Sequence, residues 1–556
     1  MTTFAELPYT RVTVEEYAAT AADCCERLRA AADAGAALAV YRDFHKASDK
    51  MNSMFALCYC RNKMDTNDTF YKAENEYYDE TLPLFEEHGK KFQRALYESP
   101  LRTGMAATLG ELPFTRIGME LRTFSPEIVP DLQEENRLTT AYTELLASAQ
   151  IPFDGQTLTL SQLAPYKQST ERAVRKAACE AEAGFYMAHG ERLDTLYDEL
   201  VKVRHRMALK LGCKDFTELG YLRMGRVGYG PDDIAALRER VAAQVVPLVG
   251  AMSEKQRERL GLDVLRLYDT ALHYPDGNPK PTGTPEQMFA AGQKMYAELS
   301  PETGEFMAYM LGRELFDVLS RPGKAPGGFC FTLWAEVAPF VFANFNGTAG
   351  DVDVLTHEAG HAFAAWTMRA AEWDAHREPS TECCEIHSMS MEFFTHPWME
   401  LFFGAAADRY RAYHVADALT FLPYGCMVDE FQHAVYADPD MTPAARHEVW
   451  RKLELKYRPH LSINDIEWYA EGRAWQRQLH IYELPFYYID YVLAQITALS
   501  FWALSRRDFA DAWRRYTALV GLGGRETFTG LVAGAGLPSP FGPEALTAVC
   551  REAAGS

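Results

Sequence analysis

Residues 351–371 read DVDVLTHEAGHAFAAWTMRAA, and their apolar spacing predicts one helix from about Asp351 to Ala371. His357 and His361 lie four residues apart, which places both imidazoles on one helix face where they can reach a single ion. Glu358 projects from the neighbouring face, where its carboxylate can take a proton from water without ligating the ion. The pattern therefore predicts a zinc centre with a general base beside it.

A catalytic zinc site needs a third protein ligand and an open fourth position. One peptidase class takes a third histidine from the same motif, but Ala364 and Thr367 stand where that class has Gly and His. The third ligand should therefore be a carboxylate on a later helix. Spacing alone does not choose among the four candidates, which are Glu378, Glu382, Glu385 and Glu392.

The stretch before the motif, FCFTLWAEVAPFVFANFN (residues 329–346), is aromatic and β-branched and predicts strand. Pro339 removes one ladder donor, which favours an edge position in the sheet. A turn is expected at residues 346–348, after which Asp351 or Asp353 would cap the motif helix.

Most of the remaining chain has the apolar spacing of helices, so the expected fold class is mainly α with a small sheet beside the chemistry. The predicted helices are Val14–Ala34, Ala37–Lys63, Asn67–Ser99, Ser169–Leu211, Pro231–Arg259, Thr284–Arg313, Ala444–Tyr457 and Tyr487–Ser505.

Composition excludes several classes of partner. The 77 acidic and 56 basic residues give a formal charge of −21, which repels phosphate backbones and anionic membranes, so nucleic acid and membrane partners are not expected. No stretch approaches the ~20 apolar residues of a membrane span, and the amino terminus lacks a signal-like pattern. The 11 cysteines form no disulfide framework or CxxC knuckle. These features predict a cytoplasmic protein with reduced thiols.

The run AEVAPFVFANFNGTAGDVDVLTHEAGHAFAAW (residues 335–366), followed by ECCEIHSMSMEFF (residues 382–394), resembles the active-site region of the thimet oligopeptidase and oligoendopeptidase F family. The resemblance implies that Glu385 is the third zinc ligand, with one zinc ion per chain. It also implies that Glu392, seven residues later, orients a ligand from outside the coordination shell.

A second resemblance lies near the carboxyl end. Residues 480–491, HIYELPFYYIDY, are similar to the histidine and tyrosine loop that faces zinc in this family. The similarity implies catalytic roles for His480, Tyr488 and Tyr491, because a phenol can stabilise the oxyanion. The spacing departs from that of the thimet branch, so Tyr487 also stays a candidate.

Weaker likeness to the oligoendopeptidase F branch extends over residues 196–540. The resemblance implies a two-lobed helical protein with a deep channel, divided into an amino-terminal lobe (residues 1–195) and a zinc-binding catalytic region (residues 196–556). The expected function is zinc-dependent endopeptidase activity on short unfolded peptides. The alternatives are a carboxypeptidase or dipeptidyl carboxypeptidase of the same metal class, a non-catalytic peptide-binding protein and a helical scaffold.

Overall fold

The structure is a computed structural model that describes residues 2–555. Helices dominate it, which confirms the expected mainly α fold class. The helices of the first part of the chain are α1 Val14–Ala30, α2 Ala34–Met64, α3 Thr69–Tyr97, α4 Arg102–Leu109, α5 Glu111–Glu120, α6 Val129–Ala147, α7 Ala164–Lys167, α8 Arg172–Ala188, α9 Gly190–Lys210, α10 Phe216–Arg223, α11 Pro231–Arg259, α12 Pro285–Leu299 and α13 Pro301–Gly312.

The helices of the second part surround the HEAGH motif. They are α14 Gly350–Thr367, α15 Thr381–Phe394, α16 Glu400–Phe403, α17 Ala407–Ala437, α18 Pro443–Tyr457, α19 Glu467–Ala470, α20 Leu479–Glu483, α21 Tyr488–Ser505, α22 Phe509–Leu522, α23 Phe528–Gly534 and α24 Pro543–Gly555. The described residues also form five strands, which are β1 Ile151–Phe153, β2 Gln156–Leu158, β3 Phe316–Leu319, β4 Phe329–Leu333 and β5 Ala338–Phe345.

The predicted helices are confirmed in position, but two of them divide in the structure. The helix expected over Ser169–Leu211 divides at His189 into α8 and α9, and the helix expected over Thr284–Arg313 divides at Ser300 into α12 and α13. Several helices were not predicted, and the longest of them is the 31-residue α17. Its buried side chains cover most of its circumference and Pro423 lies inside it, so no amphipathic stripe marks it in the sequence. This helix carries His414, which contacts Glu392 on α15.

The sheet beside the motif has the strand order β3–β5–β4, with β3 parallel and β4 antiparallel to β5. The prediction that Pro339 marks an edge strand is wrong, because Pro339 belongs to the central strand. Pairing with β3 begins only at Val341, so the proline lies beyond that ladder and its missing N–H disrupts no bond there. The two edge strands of the sheet are β3 and β4.

The expected cap of the motif helix is also wrong. Ala349 is the N-cap residue and contributes no side-chain bond. Asp351 lies inside the first turn, where its carboxylate accepts hydrogen bonds from the backbone N–H groups of Asn346 (2.9 Å) and Gly347 (2.8 Å). It therefore joins the helix to the turn that follows β5, and so holds the motif against the sheet.

Helix α21 is buried along nearly its whole length and packs against α15 and α17. This confirms that its apolar run is a core helix of the protein. Among residues 2–555, no helix combines the length and the apolar character needed to cross a membrane.

Helices α14 and α15 touch at the motif itself. A Cβ atom added to Gly360 would lie 2.6 Å from Ser388 Cα and 2.8 Å from the His387 carbonyl oxygen. Both neighbours are backbone atoms, which cannot rotate away. Glycine between the two motif histidines therefore permits the helix that carries them to lie directly on α15.

We predict that Gly360→Ala lowers stability and weakens metal binding. Alanine is favoured over glycine inside a helix by ~1 kcal/mol, but overpacking of a tight contact costs about 1–3 kcal/mol. The matched control is Gly184→Ala in α8, where the added methyl meets nothing within 4 Å. Denaturant unfolding and zinc affinity should show a loss for Gly360→Ala only. Equal behaviour of the two variants would show that the contact is not tight.

Candidate metal centre

Helices α14 and α15 bring three potential ligands to one point. Glu385 Oε2 lies 3.3 Å from His357 Nε2 and 3.4 Å from His361 Nε2. One nitrogen or oxygen from each of the three residues falls within 4.8 Å of the others, and within residues 2–555 this is the one such cluster of His, Cys, Asp and Glu ligand atoms. Of the four carboxylates that the sequence left open, Glu385 is the one that lies within 3.4 Å of the Nε2 atoms of both histidines.

The spacing of these atoms fits zinc. Ligand atoms about 2.1 Å from a tetrahedral ion lie about 3.4 Å from one another, which is the separation found from Glu385 to both histidines. Two imidazoles and one carboxylate are also the donor set of zinc peptidases that keep a fourth position open.

Charge compensation holds the ligands in place. Burial raises the pKa of Glu385, but the neighbouring His361 and His357 outweigh burial and hold that pKa well below its usual range. The second carboxylate oxygen, Oε1, accepts a hydrogen bond from the Tyr487 hydroxyl. Both oxygens of this buried side chain are therefore directed, one at the histidines and one at the tyrosine.

Glu358 lies beside the ligands without joining them. Its side chain is 6% exposed, and burial raises the pKa of its carboxyl. Its Oε2 atom is buried and has no hydrogen-bond partner among the described residues. A buried carboxylate oxygen is normally satisfied, so this atom marks a position for a water molecule or a substrate group.

A chain of hydrogen bonds continues outward from His357. Its Nδ1 lies 2.7 Å from Glu392 Oε1, which leaves Nε2 for the metal. The other oxygen of Glu392 lies 2.7 Å from His414 Nε2, and His414 Nδ1 lies 2.9 Å from His396 Nε2. The orienting role that the resemblance implied for Glu392 thus has a geometric basis. His414 escaped sequence reasoning because it lies on α17, which reaches Glu392 only in the folded chain. His396 follows α15 closely in the sequence, but nothing in its spacing singles it out.

The aromatic loop reaches the same cavity from the start of α21. Tyr487 and Tyr491 line it together with the three ligands. Tyr488 does not line it, and its ring packs against Phe421 and Tyr424 instead. Tyr488 lies three residues from Tyr491 and Tyr487 lies four, so on a helix either could share a face with Tyr491. Tertiary packing decides which of the two faces the ligands.

His480 contacts Tyr491 and not the ligand cluster. Its Nε2 lies 3.2 Å from the Tyr491 hydroxyl, and burial lowers its pKa to about 4, so the ring is neutral at pH 7. Its Nδ1 lies 3.0 Å from Gln478 Nε2. The amide orientation is set on its other side, where Gln478 Oε1 accepts from the Tyr424 hydroxyl at 2.9 Å.

Other histidine and cysteine side chains near the cavity lie outside the ligand cluster. His387 lines the cavity, and burial lowers its pKa to about 3. Cys384 also lines it, but burial raises the pKa of the thiol, which disfavours the thiolate needed for metal binding. Cys383 is fully buried in α15.

The site lies in a cavity of about 280 Å³ whose wall includes the free edge strand β4, through Phe329, Cys330 and Thr332. A larger cavity of about 730 Å³ adjoins it and shares Arg377 and Glu378 with it. That second cavity is lined mainly by side chains of α2 and α3. The amino-terminal helices thus line one cavity and the ligand helices line the other, and the two cavities have Arg377 and Glu378 in common.

Comparison with known proteins places these features in context. A family model described as peptidase family M3 matches residues 165–541, and the peptidase M3 N-terminal domain matches residues 4–124. No curated protein matches the chain closely in sequence.

Solved structures resemble the whole chain. PZ peptidase A, solved with an inhibitor, is 44% identical with a TM-score of 0.98, covering 100% of this chain and 99% of that one. A protein described as an oligoendopeptidase F is 46% identical, with a TM-score of 0.98 and coverages of 100% and 98%. A Bacillus anthracis protein with the same description is 42% identical, with a TM-score of 0.93 and coverages of 99% and 97%.

We predict that Glu385→Ala abolishes stoichiometric zinc, because two histidines alone are one ligand short of a catalytic site. The matched control is Glu378→Ala, which removes a carboxylate from the same cavity; Glu378 accepts a hydrogen bond from the Trp334 indole at 2.7 Å. Metal analysis of both purified variants should find about one zinc per chain in the control only. Full zinc content in Glu385→Ala would refute the assignment.

Proposed function

The chain belongs to peptidase family M3 and is a metalloendopeptidase, and from that premise we propose that it uses zinc to cut short unfolded peptides at internal bonds. The observation that carries the proposal is the cluster of His357, His361 and Glu385 beside an unpartnered Glu358 oxygen, in a cleft with an open strand edge. Each part of that arrangement corresponds to a step of peptide hydrolysis.

His357, His361 and Glu385 would hold one zinc ion per chain. When bound, zinc supplies polarisation of the scissile carbonyl and a lowered pKa for water. The protein contributes the orientation of the ligands. Glu392 holds the His357 ring, and Tyr487 holds the Glu385 carboxylate, so neither ligand needs to reorganise during the reaction.

Glu358 would act as general base and then as general acid. Its unpartnered Oε2 can accept the proton of the attacking water and return it to the leaving amine. Burial raises the pKa of this carboxyl, which makes it a better base than an exposed glutamate.

Tyr491 would donate to the carbonyl oxygen as that oxygen gains negative charge. The Gln478 amide donates to His480 Nδ1, so the neutral ring carries its proton on Nε2 and donates it to the Tyr491 oxygen. The Tyr491 hydroxyl proton is then free to point into the cavity. His480 is on this view a positioning residue. Tyr487 already donates to Glu385, and Tyr488 lies outside the cavity, so neither is placed for this task.

Substrate would bind as an extended strand along β4. The segment 340–345, which the sequence favoured as an edge strand, cannot take this role, since it belongs to β5, the central strand of the sheet. The free edge of β4 lines the cleft and offers main-chain hydrogen bonds, which are indifferent to side chains. Broad sequence tolerance follows, with a length limit imposed by the cleft.

We propose that the chain divides into an amino-terminal lobe and a zinc-binding catalytic region. Residues 1–195 would form one wall through α2 and α3, and residues 196–556 would carry the metal and the catalytic side chains. Short unfolded peptides are the expected partners, and nucleic acid and membranes are not. We also propose a cytoplasmic location, supported by 11 cysteines that are all unpaired.

The proposed mechanism makes a prediction for Glu358, the general base. Glu358→Gln should keep zinc content and peptide binding but lose several orders of magnitude in kcat, because an amide cannot accept the proton. Single-turnover assays with metal analysis on the same sample separate the two effects. Turnover close to wild type would end the proposed mechanism.

The tyrosines give a second prediction. Tyr491→Phe should lower kcat by about 10²-fold with unchanged zinc content, the size expected for one lost oxyanion donor. Tyr487→Phe should instead weaken zinc binding, and Tyr488→Phe serves as the control with kinetics near wild type. A large kcat loss confined to Tyr488→Phe would overturn the assignment of Tyr491.

A further prediction concerns the length and the end groups of the peptides that are cut. Peptides of about 5 to 20 residues should be cut even when both ends are blocked, whereas native globular proteins should resist, because only an extended chain can pair with a strand edge inside the cleft. Mass spectrometry of the products gives the cleavage positions. Failure to cut any doubly blocked peptide would favour a carboxypeptidase.

A further inference from the structure

A third cavity, different from the two described above, lies apart from the metal centre. Its volume is about 750 Å³, within the range of small-molecule sites, and none of its lining residues lines the catalytic cavity. Helices α11, α17, α21 and α22 contribute its walls. Phe393, Leu419 and Trp502 form an apolar surface within it, and Trp502 is only 5% exposed. The cavity is thus shaped to receive an apolar body.

The mouth of this cavity is cationic, although the protein carries a formal charge of −21. Lys255 and Arg259, one turn apart on α11, both line it and are both exposed. Within residues 2–555, neither has a carboxylate oxygen within 4.0 Å, whereas the lining Arg411 is paired with Asp408 and Glu400. Two cations without counter-charges beside an apolar surface are complementary to an anion with an apolar body.

The same cavity touches the outer end of the hydrogen-bond chain from the metal centre. His396 lines it and is 8% exposed. From His396 the bonds run through His414 to Glu392 and on to the ligand His357, at 2.9, 2.7 and 2.7 Å. All of these links are side-chain contacts among packed helices. A ligand that moves His396 therefore has a contiguous route to a zinc ligand.

We propose that this cavity binds an organic monoanion with an apolar body, of the class of medium-chain carboxylates, and that its occupancy is coupled to the metal site through His396, His414 and Glu392. The carboxylate lies near Lys255 and Arg259, and the alkyl chain lies against Phe393 and Trp502. Binding itself is independent of zinc, while the coupling rests on the zinc site proposed above.

Binding is tested with the zinc-loaded full chain, using decanoate to displace the fluorescent probe 1-anilinonaphthalene-8-sulfonate. We expect one saturable site per chain that both compounds share. Lys255→Glu combined with Arg259→Glu should weaken decanoate binding at least tenfold. The matched control combines Lys46→Glu with Lys214→Glu, two exposed lysines outside this cavity, and should bind as wild type. Equal weakening in both pairs, or only unsaturable binding, would overturn the site.

Coupling is tested by reciprocity. If decanoate changes the zinc dissociation constant by some factor, zinc must change the decanoate dissociation constant by the same factor, and we expect about fivefold or more. His396→Leu keeps an apolar wall but breaks the chain of hydrogen bonds. This variant should still bind decanoate, but decanoate and zinc should hardly change each other's dissociation constants, so both factors should be close to one. His414→Gln provides a second interruption should the first variant be poorly folded by thermal melting. A factor of one in the wild type, or an undiminished factor in both variants, would overturn the coupling without touching the assignment of the zinc ligands.

Discussion

The contact between Gly360 and the backbone of α15 is the constraint on which the rest of the site depends. Two helices that carry a large side chain at their crossing point stay 8–10 Å apart along their axes. A glycine at position 360 removes that obstacle between the two motif histidines. The histidines of α14 and the carboxylate of α15 can then meet at 3.3–3.4 Å. The other features of the metal centre depend on this short distance between the ligand atoms.

Once the helices are close, their buried carboxylates need partners, because burying an unpaired charge costs free energy. A carboxylate removed from water needs compensation, and Glu385 finds it in two imidazoles and one phenol. Glu392 finds it in His357 and His414. These shared contacts give each of these carboxylate oxygens a defined partner. The exception is the Glu358 oxygen, and an unpartnered buried atom at the centre of a cleft is where chemistry is expected.

The open face of the site has a different origin. The sheet leaves β4 unpaired on one side, and an unpaired edge inside a protein would normally be a liability. Here β4 lines the cavity of the metal centre, and α2 and α3 line the adjoining cavity. Under the proposed function, this arrangement would admit an extended peptide and exclude a folded protein. The acidic surface elsewhere disfavours polyanions, so the cationic cavity at α11 stands out as a local exception.

The local sequence determined the motif helix, most of the long helices, the pair of histidines, the adjacent glutamate and the need for a later carboxylate. Helical periodicity explains this success, because residues four apart on one helix meet whatever the rest of the chain does. Only the tertiary structure decided which edge strand lines the cavity, that Tyr487 rather than Tyr488 faces Glu385, and that His414 and His396 extend the chain from His357. These features depend on contacts between elements far apart in the chain, since α21 packs against both α15 and α17. No local sequence pattern specifies how a buried helix is rotated about its axis.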